Sequence, residues 1–128
     1  MNKLEYIRFL NGDIVYIHGS VRVISSCDGY YATYYDEDET LQEVNVNVIE
    51  GIPLTPEILE KNGWKKSKIN DCAYFDYKDG LFLTYTSKDG KFWFDDFGYS
   101  SSICVELPYV HSLQHFLFGL GLKSEMEV

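Results

Sequence analysis

Short apolar runs, each closed by turn chemistry, fill the first fifty residues of the chain. "LEYIRFL" stops at Asn11-Gly12-Asp13, "IVYIH" at Gly19-Ser20, and "VRVIS" just before Asp28-Gly29. "YYATYY" runs into the acidic stretch Asp36, Glu37, Asp38 and Glu39. "VNVNVI" then alternates, with Val44, Val46 and Val48 on one face. Strands of about five residues with turn signals this close predict a small, strongly curved sheet or SH3-like barrel. In that reading the acidic stretch is a solvated hairpin tip.

The pattern changes at "IPLTPEILEKNGW". Thr55 is a good N-cap, and Pro56 follows at the first helical position, where its missing N–H costs nothing. Leu54 and Leu59 hold the two positions of a hydrophobic staple. Gly63 can stop the helix in a left-handed conformation, with Trp64 folding back on Leu59. Alternation returns in "CAYFDY", "LFLTYTS" and "KFWFDDF", divided by Lys78-Asp79-Gly80 and Lys88-Asp89-Gly90, both good hairpin turns. "ICVEL" adds a fourth strand after the polar "GYSSS". "PYVHSLQHFLFGLG" closes the pattern as a helix, with Tyr109, Val110, Leu113, Phe116, Leu117 and Leu120 on one stripe. The expected fold is therefore α+β. An SH3-like small β-barrel or curved sheet (1–51) precedes a helix–antiparallel sheet–helix unit (52–128), the two packed as one compact protein.

Charge narrows the function classes. The net charge is −9, and residues 1–50 carry three Lys or Arg against nine Asp or Glu. Residues 51–128 carry eight against eleven. Such a surface repels phosphate backbones and anionic lipid, so direct nucleic-acid binding and membrane association are disfavoured. A basic protein partner fits it. The cysteines Cys27, Cys72 and Cys104 are far apart, without the spacing of a zinc knuckle or redox pair. No apolar run reaches signal-peptide or membrane-span length, which predicts reduced thiols and a cytoplasmic protein.

Candidate chemistry is sparse. His111 and His115, one helical turn apart, have the geometry of a two-histidine metal site. The zinc proteases that use it also need a Glu beside the first His and a third ligand. Here Ser112 stands beside His111, and His18 lies on a distant strand. The pair reads better as the polar face of the helix, flanked by Ser112 and Gln114, with no metal or cofactor. Asp95-Asp96 would point to opposite faces of a strand, and "GYSSS" lacks a nucleophile elbow. Tyr30, Tyr31, Tyr34 and Tyr35 form no base-stacking platform without a basic groove, and alternate between core and surface instead.

Two motifs, "IPLTPEILEKNGW" and "YVHSLQ", together carry a family resemblance over roughly residues 50–118. Their pairing and order resemble a group of short bacterial proteins, frequent on phages and mobile elements, to which no function is attached. The shared pattern is I-P-L-T-x-E-x-L-x-K-x-G-(F/W) followed by Y-V-H-x-L-Q. It includes His111 but calls for no histidine at His115. Gly12, Asp13 and Val15 match a G-D-x-V start of the N-terminal β unit. The resemblance implies a phage or mobile-element setting and no mechanism. The expected function is non-enzymatic protein interaction, with Asp36, Glu37, Asp38 and Glu39 as the candidate surface and His111 as a structural polar residue. Three alternatives stay open: a DNA-mimic inhibitor of a host nucleic-acid-binding protein, a structural virion component, and a small metal-dependent enzyme using His111 and His115.

Overall fold

A computed structural model describes residues 9–66, 73–76, 81–86, 91–95 and 104–128. The chain is α+β, and its strands pair antiparallel. It divides into two compact units, Met1–Ile52 and Pro53–Val128.

Among the described residues the first unit holds six strands: β1 (Ile14–Ile17), β2 (Ser20–Val23), β3 (Ser26–Cys27), β4 (Tyr31–Tyr35), β5 (Leu41–Asn45) and β6 (Ile49–Gly51). They form two open three-stranded sheets, ordered β2-β1-β6 and β3-β4-β5, and not a closed barrel. Residues 20–27 serve both sheets. The Ile24 amide donates back to Asp13 at 2.9 Å, whereas the Ser25 amide donates across to Thr33 at 2.7 Å. Phe9, Val15, Ile17, Ile24, Ala32, Tyr34 and Ile49 make the core, and Cys27, Val44 and Val46 pack against it.

The alternating run "VNVNVI" is not one strand. β5 ends at Asn45, Val46–Val48 form a 3-10 turn, and β6 begins at Ile49. The Asn45 side chain accepts the Asn47 amide at 2.9 Å and so caps the turn. A side chain that offers the backbone a local partner ends the strand where the chain must pass to the other sheet. "LEYIRFL" lies mostly outside the described residues, but Phe9 is buried in the core.

In the second unit, α1 (Pro56–Lys61) has the ends its sequence implies. The Thr55 hydroxyl accepts the Ile58 amide at 3.2 Å. At the other end Gly63 sits at φ 90°, the Gly63 amide reaches Glu60 and the Trp64 amide reaches Leu59. This is a Schellman stop, and Leu54, Leu59 and Trp64 are all buried. A five-stranded sheet follows: β7 (Lys65–Lys66), β8 (Ala73–Asp76), β9 (Leu81–Thr86), β10 (Lys91–Asp95) and β11 (Cys104–Glu106). Its order is β11-β10-β9-β8-β7, one strand more than the pattern predicts. The turns at Lys78-Asp79-Gly80 and Lys88-Asp89-Gly90 lie outside the described residues.

α2 (Val110–Gly119) packs on this sheet, with the Phe116 and Phe94 rings 4.6 Å apart. The Ser112 hydroxyl accepts the Tyr109 amide at 3.3 Å, one half of a capping box. The helix ends as α1 does, with Gly121 at φ 73° and the Leu122 amide on Leu117. Leu120 falls beyond the helix and is exposed, so the apolar stripe stops at Leu117. Among the described residues no helix is long and apolar enough to cross a membrane.

Candidate interaction surface

The acidic stretch is the tip of the β4–β5 hairpin, and its four carboxylates have different roles. The Asp36 amide donates to Thr40 and the Glu39 amide to Asp36, each at 3.0 Å, which leaves Glu37, Asp38 and Glu39 in the loop. A three-residue hairpin loop needs a left-handed residue in its last position, and Glu39 fills it at φ 59°. Asp36 holds the loop together. Its Oδ1 accepts the amides of Asp38 at 2.9 Å and Thr40 at 3.0 Å, and its Oδ2 accepts the Gln42 side chain at 2.9 Å. The Thr40 amide, then Gln42, hold the Asp36 carboxyl below its ordinary value. The Glu37 carboxyl is held down by its own amide first and by Arg22 second. Asp38 and Glu39 point into solvent.

Arg22 joins this tip to the other sheet. In the β1–β2 register Arg22 stands opposite Val15, on the face that carries the core residues Val15, Ile17 and Ile49. Its guanidinium lies 5.3 Å from the centroid of the Tyr34 ring and reaches Glu37 at 2.6 Å. The long side chain lays its stem over apolar surface while its head finds a carboxylate. The Arg22 Nε is buried and has no hydrogen-bond partner among the described residues. Beside this bridge the two sheets diverge. A groove of about 420 Å³ runs there, with Asn11, Val21, Val23, Ser25 and Tyr35 in its lining. Val21, Val23 and Tyr35 are 48%, 54% and 59% exposed.

Within β4 the tyrosines alternate, Tyr34 buried and Tyr31 and Tyr35 exposed, but Tyr30 precedes the strand and is exposed where alternation would bury it. A further feature of the sequence bears on the Arg22–Glu37 bridge. Arg22 is the single Lys or Arg between residues 9 and 50, so any Lys or Arg ion pair made by that stretch within itself must use it.

The helix histidines do not form a wet face. His111 and Gln114 are buried at 6% and 4% exposure, and His115 is half-buried. The helix packs over a wider arc than its apolar stripe, which encloses these polar residues. The Tyr109 and His111 rings stack at 5.3 Å, almost parallel, and the His115 ring meets His111 edge-on at 5.7 Å. Gln114 donates to the Ser124 carbonyl at 3.2 Å, which ties the chain after α2 back to the helix. Among the described residues no three His, Cys, Asp or Glu side chains converge as metal ligands. His18 is far from this group in sequence and occupies a turn, not a strand, at φ 51°. Cys27 is a free thiol. Cys72, Asp96 and "GYSSS" lie outside the described residues.

Asn62, the C-cap of α1, does more than its place before a glycine suggests. Its side-chain amide exchanges two hydrogen bonds with the Glu127 backbone, each 2.8 Å, while also donating to the Ile58 carbonyl. Lys61 adds a bond to the Val128 carbonyl at 3.0 Å. No composition or spacing signal marks such a contact, because its partner lies more than sixty residues away along the chain.

No family model, curated protein or solved structure matches the chain.

Proposed function

We propose that this is a non-enzymatic protein-interaction module which works in the cytoplasm, in a phage or mobile-element setting, by binding a basic protein partner. The observation that carries the reading is the first unit's surface. Exposed Asp38 and Glu39 flank exposed apolar side chains, and Arg22 is already neutralised by Glu37. Surfaces of one charge sign steer an opposite partner, and apolar area beside them supplies affinity. We read the unit as an SH3-like fold in which the two sheets stay open. The support is the 20–27 segment, which leaves one sheet and enters the other.

The DNA-mimic reading has less support. It needs carboxylates free to imitate phosphates, yet Asp36 is committed to its own loop and Glu37 to Arg22. The experiment is affinity capture from host lysate with the native chain and with a variant carrying Asp38→Lys and Glu39→Lys. A captured basic protein that is released by salt, and missed by the variant, is the expected result. Finding nothing above background at any ionic strength refutes the reading.

A further inference from the structure

We infer that the groove between β2 and β4 takes an extended, cationic segment of a partner protein, which adds as a strand to β2. This rests on the interaction reading above and names the partner's form. The argument begins with hydrogen-bond parity. In an antiparallel hairpin, alternate residues turn their N–H and C=O toward the partner strand, and the residues between turn them away. Ile17 and Ser20 close the His18-Gly19 turn, and Ile24 bonds Asp13, so Ser20, Arg22 and Ile24 face β1. Val21 and Val23 therefore direct their main-chain groups outward. β2 is the edge of its sheet, and among the described residues no strand pairs with that side.

The opposite wall obeys the same parity. Tyr30 and Asp36 bond toward β5, whereas the carbonyls of Tyr31 and Thr33 accept from Asp28 and Ser25. Tyr35 is the next residue on that side, and the β3–β4 pairing has already ended at Thr33. Main-chain donors and acceptors from Val21, Val23 and Tyr35 thus border one groove. The buried Arg22 Nε, which has no acceptor among the described residues, lies along it. Edge strands are normally blunted with lysine, proline or a bulge. Here the outward side chains are two valines, and the one charged residue of β2 turns inward to Tyr34 and Glu37. This is the arrangement that strand addition uses: main-chain bonds give affinity, and alternate side chains give selectivity.

Charge decides between occupants. Residues 9–50 hold eight carboxylates against the single cation Arg22. A second copy would bring the same excess to the same edge, so self-pairing is repelled, whereas a Lys- or Arg-bearing strand is drawn in.

The probe is a capped heptapeptide of alternating lysine and valine, compared with a glutamate–valine peptide and with a lysine–valine peptide N-methylated on alternate amides. Binding is followed by calorimetry and by amide hydrogen exchange. The lysine–valine peptide should bind saturably and slow exchange at Val21 and Val23, while both comparison peptides should not. Val23→Pro removes an outward N–H without touching the β1 ladder, and should weaken binding about five- to tenfold while the melting temperature stays near that of Val23→Ala. Should Val23→Pro fail to fold, the N-methylated peptide tests the same bond on the native chain. Equal binding of the N-methylated peptide, protection away from Val21 and Val23, or self-association through this edge overturns the inference. Peptide binding lost only on Asp38→Lys and Glu39→Lys would leave the interaction reading intact and remove the groove. No binding of any cationic peptide, together with an empty lysate capture, would remove both.

Discussion

The first unit contains two hairpins that solve the same problem in opposite ways. The β1–β2 hairpin turns through His18 and Gly19, both at positive φ, and Ile17 beside the turn is buried in the core. The β4–β5 hairpin turns through Glu37, Asp38 and Glu39, and the pair beside its turn, Tyr35 and Leu41, is exposed. One turn is held by backbone geometry and the burial of its neighbour. The other is held by the side chain of Asp36. A hairpin tip that extends from the core must bring its own polar scaffold, and with Glu37 on Arg22 that scaffold leaves Asp38 and Glu39 exposed for other contacts.

The largest expected difference is therefore in apolar truncation. Ile17→Ala should cost about 2–5 kcal/mol, the range for a buried aliphatic cut to alanine. Tyr35→Ala or Leu41→Ala should each cost no more than about 1 kcal/mol, the worth of an exposed cross-strand pair. Denaturant melts of the three variants measure this. Equal losses would mean that the tip is clamped by packing after all.

The next difference lies in the turns themselves. A β-carbon built on Gly19 meets nothing within 4 Å, so its only penalty is conformational. Gly19→Ala at φ 79° should cost about 1–2 kcal/mol. Glu39→Gly should move the other way, because it relieves a left-handed non-glycine residue; the net gain is about 0.5–1 kcal/mol after the extra freedom of the unfolded chain. Glu39→Gln separates backbone from charge. A gain as large as that of glycine would assign the effect to repulsion among the carboxylates.

These two hairpins also show what a sequence can reveal. The existence of a turn at Gly19 and the acidic tip are legible because their chemistry is local, as are the ends of α1, although the turn takes His18 with Gly19 and leaves Ser20 to β2. Thr55, Pro56, Gly63 and Trp64 act within a few residues of one another. The 3-10 turn at Val46–Val48 is hidden by valines that fit a strand, since the reason to turn is the second sheet. The burial of His111 and Gln114 is hidden similarly, because the width of a helix contact depends on what covers it. Arg22 is intermediate. Its solitude is visible in the sequence, but the Tyr34 ring and the Glu37 carboxylate that receive it are brought there by β4.

The smallest effect is local and separates the hairpins by acid. Asp36 and Glu37 are both held below their ordinary values of 3.8 and 4.5 by hydrogen bonds that need the ionised carboxylate. A carboxyl depressed on folding contributes its stability above the unfolded value, and loses it as pH falls through the lower, folded one. The β4–β5 tip should thus be intact at neutral pH and loosen only below about pH 4. The amide resonances of Asp38 and Thr40 should titrate together there, since both amides donate to Asp36 Oδ1. No carboxylate bonds the His18-Gly19 turn among the described residues, so its amides should stay still over the same range. Asp36→Asn should abolish the titration of the Asp38 and Thr40 amides, while the Arg22–Glu37 bond, which uses the other carboxylate, stays formed at neutral pH. Added salt should loosen the Arg22–Glu37 pair at neutral pH while leaving the Asp36 loop closed, because exposed ion pairs are screened and short hydrogen bonds are not. If salt and acid act on the same resonances, the tip depends on Arg22, and the two hairpins are a single device.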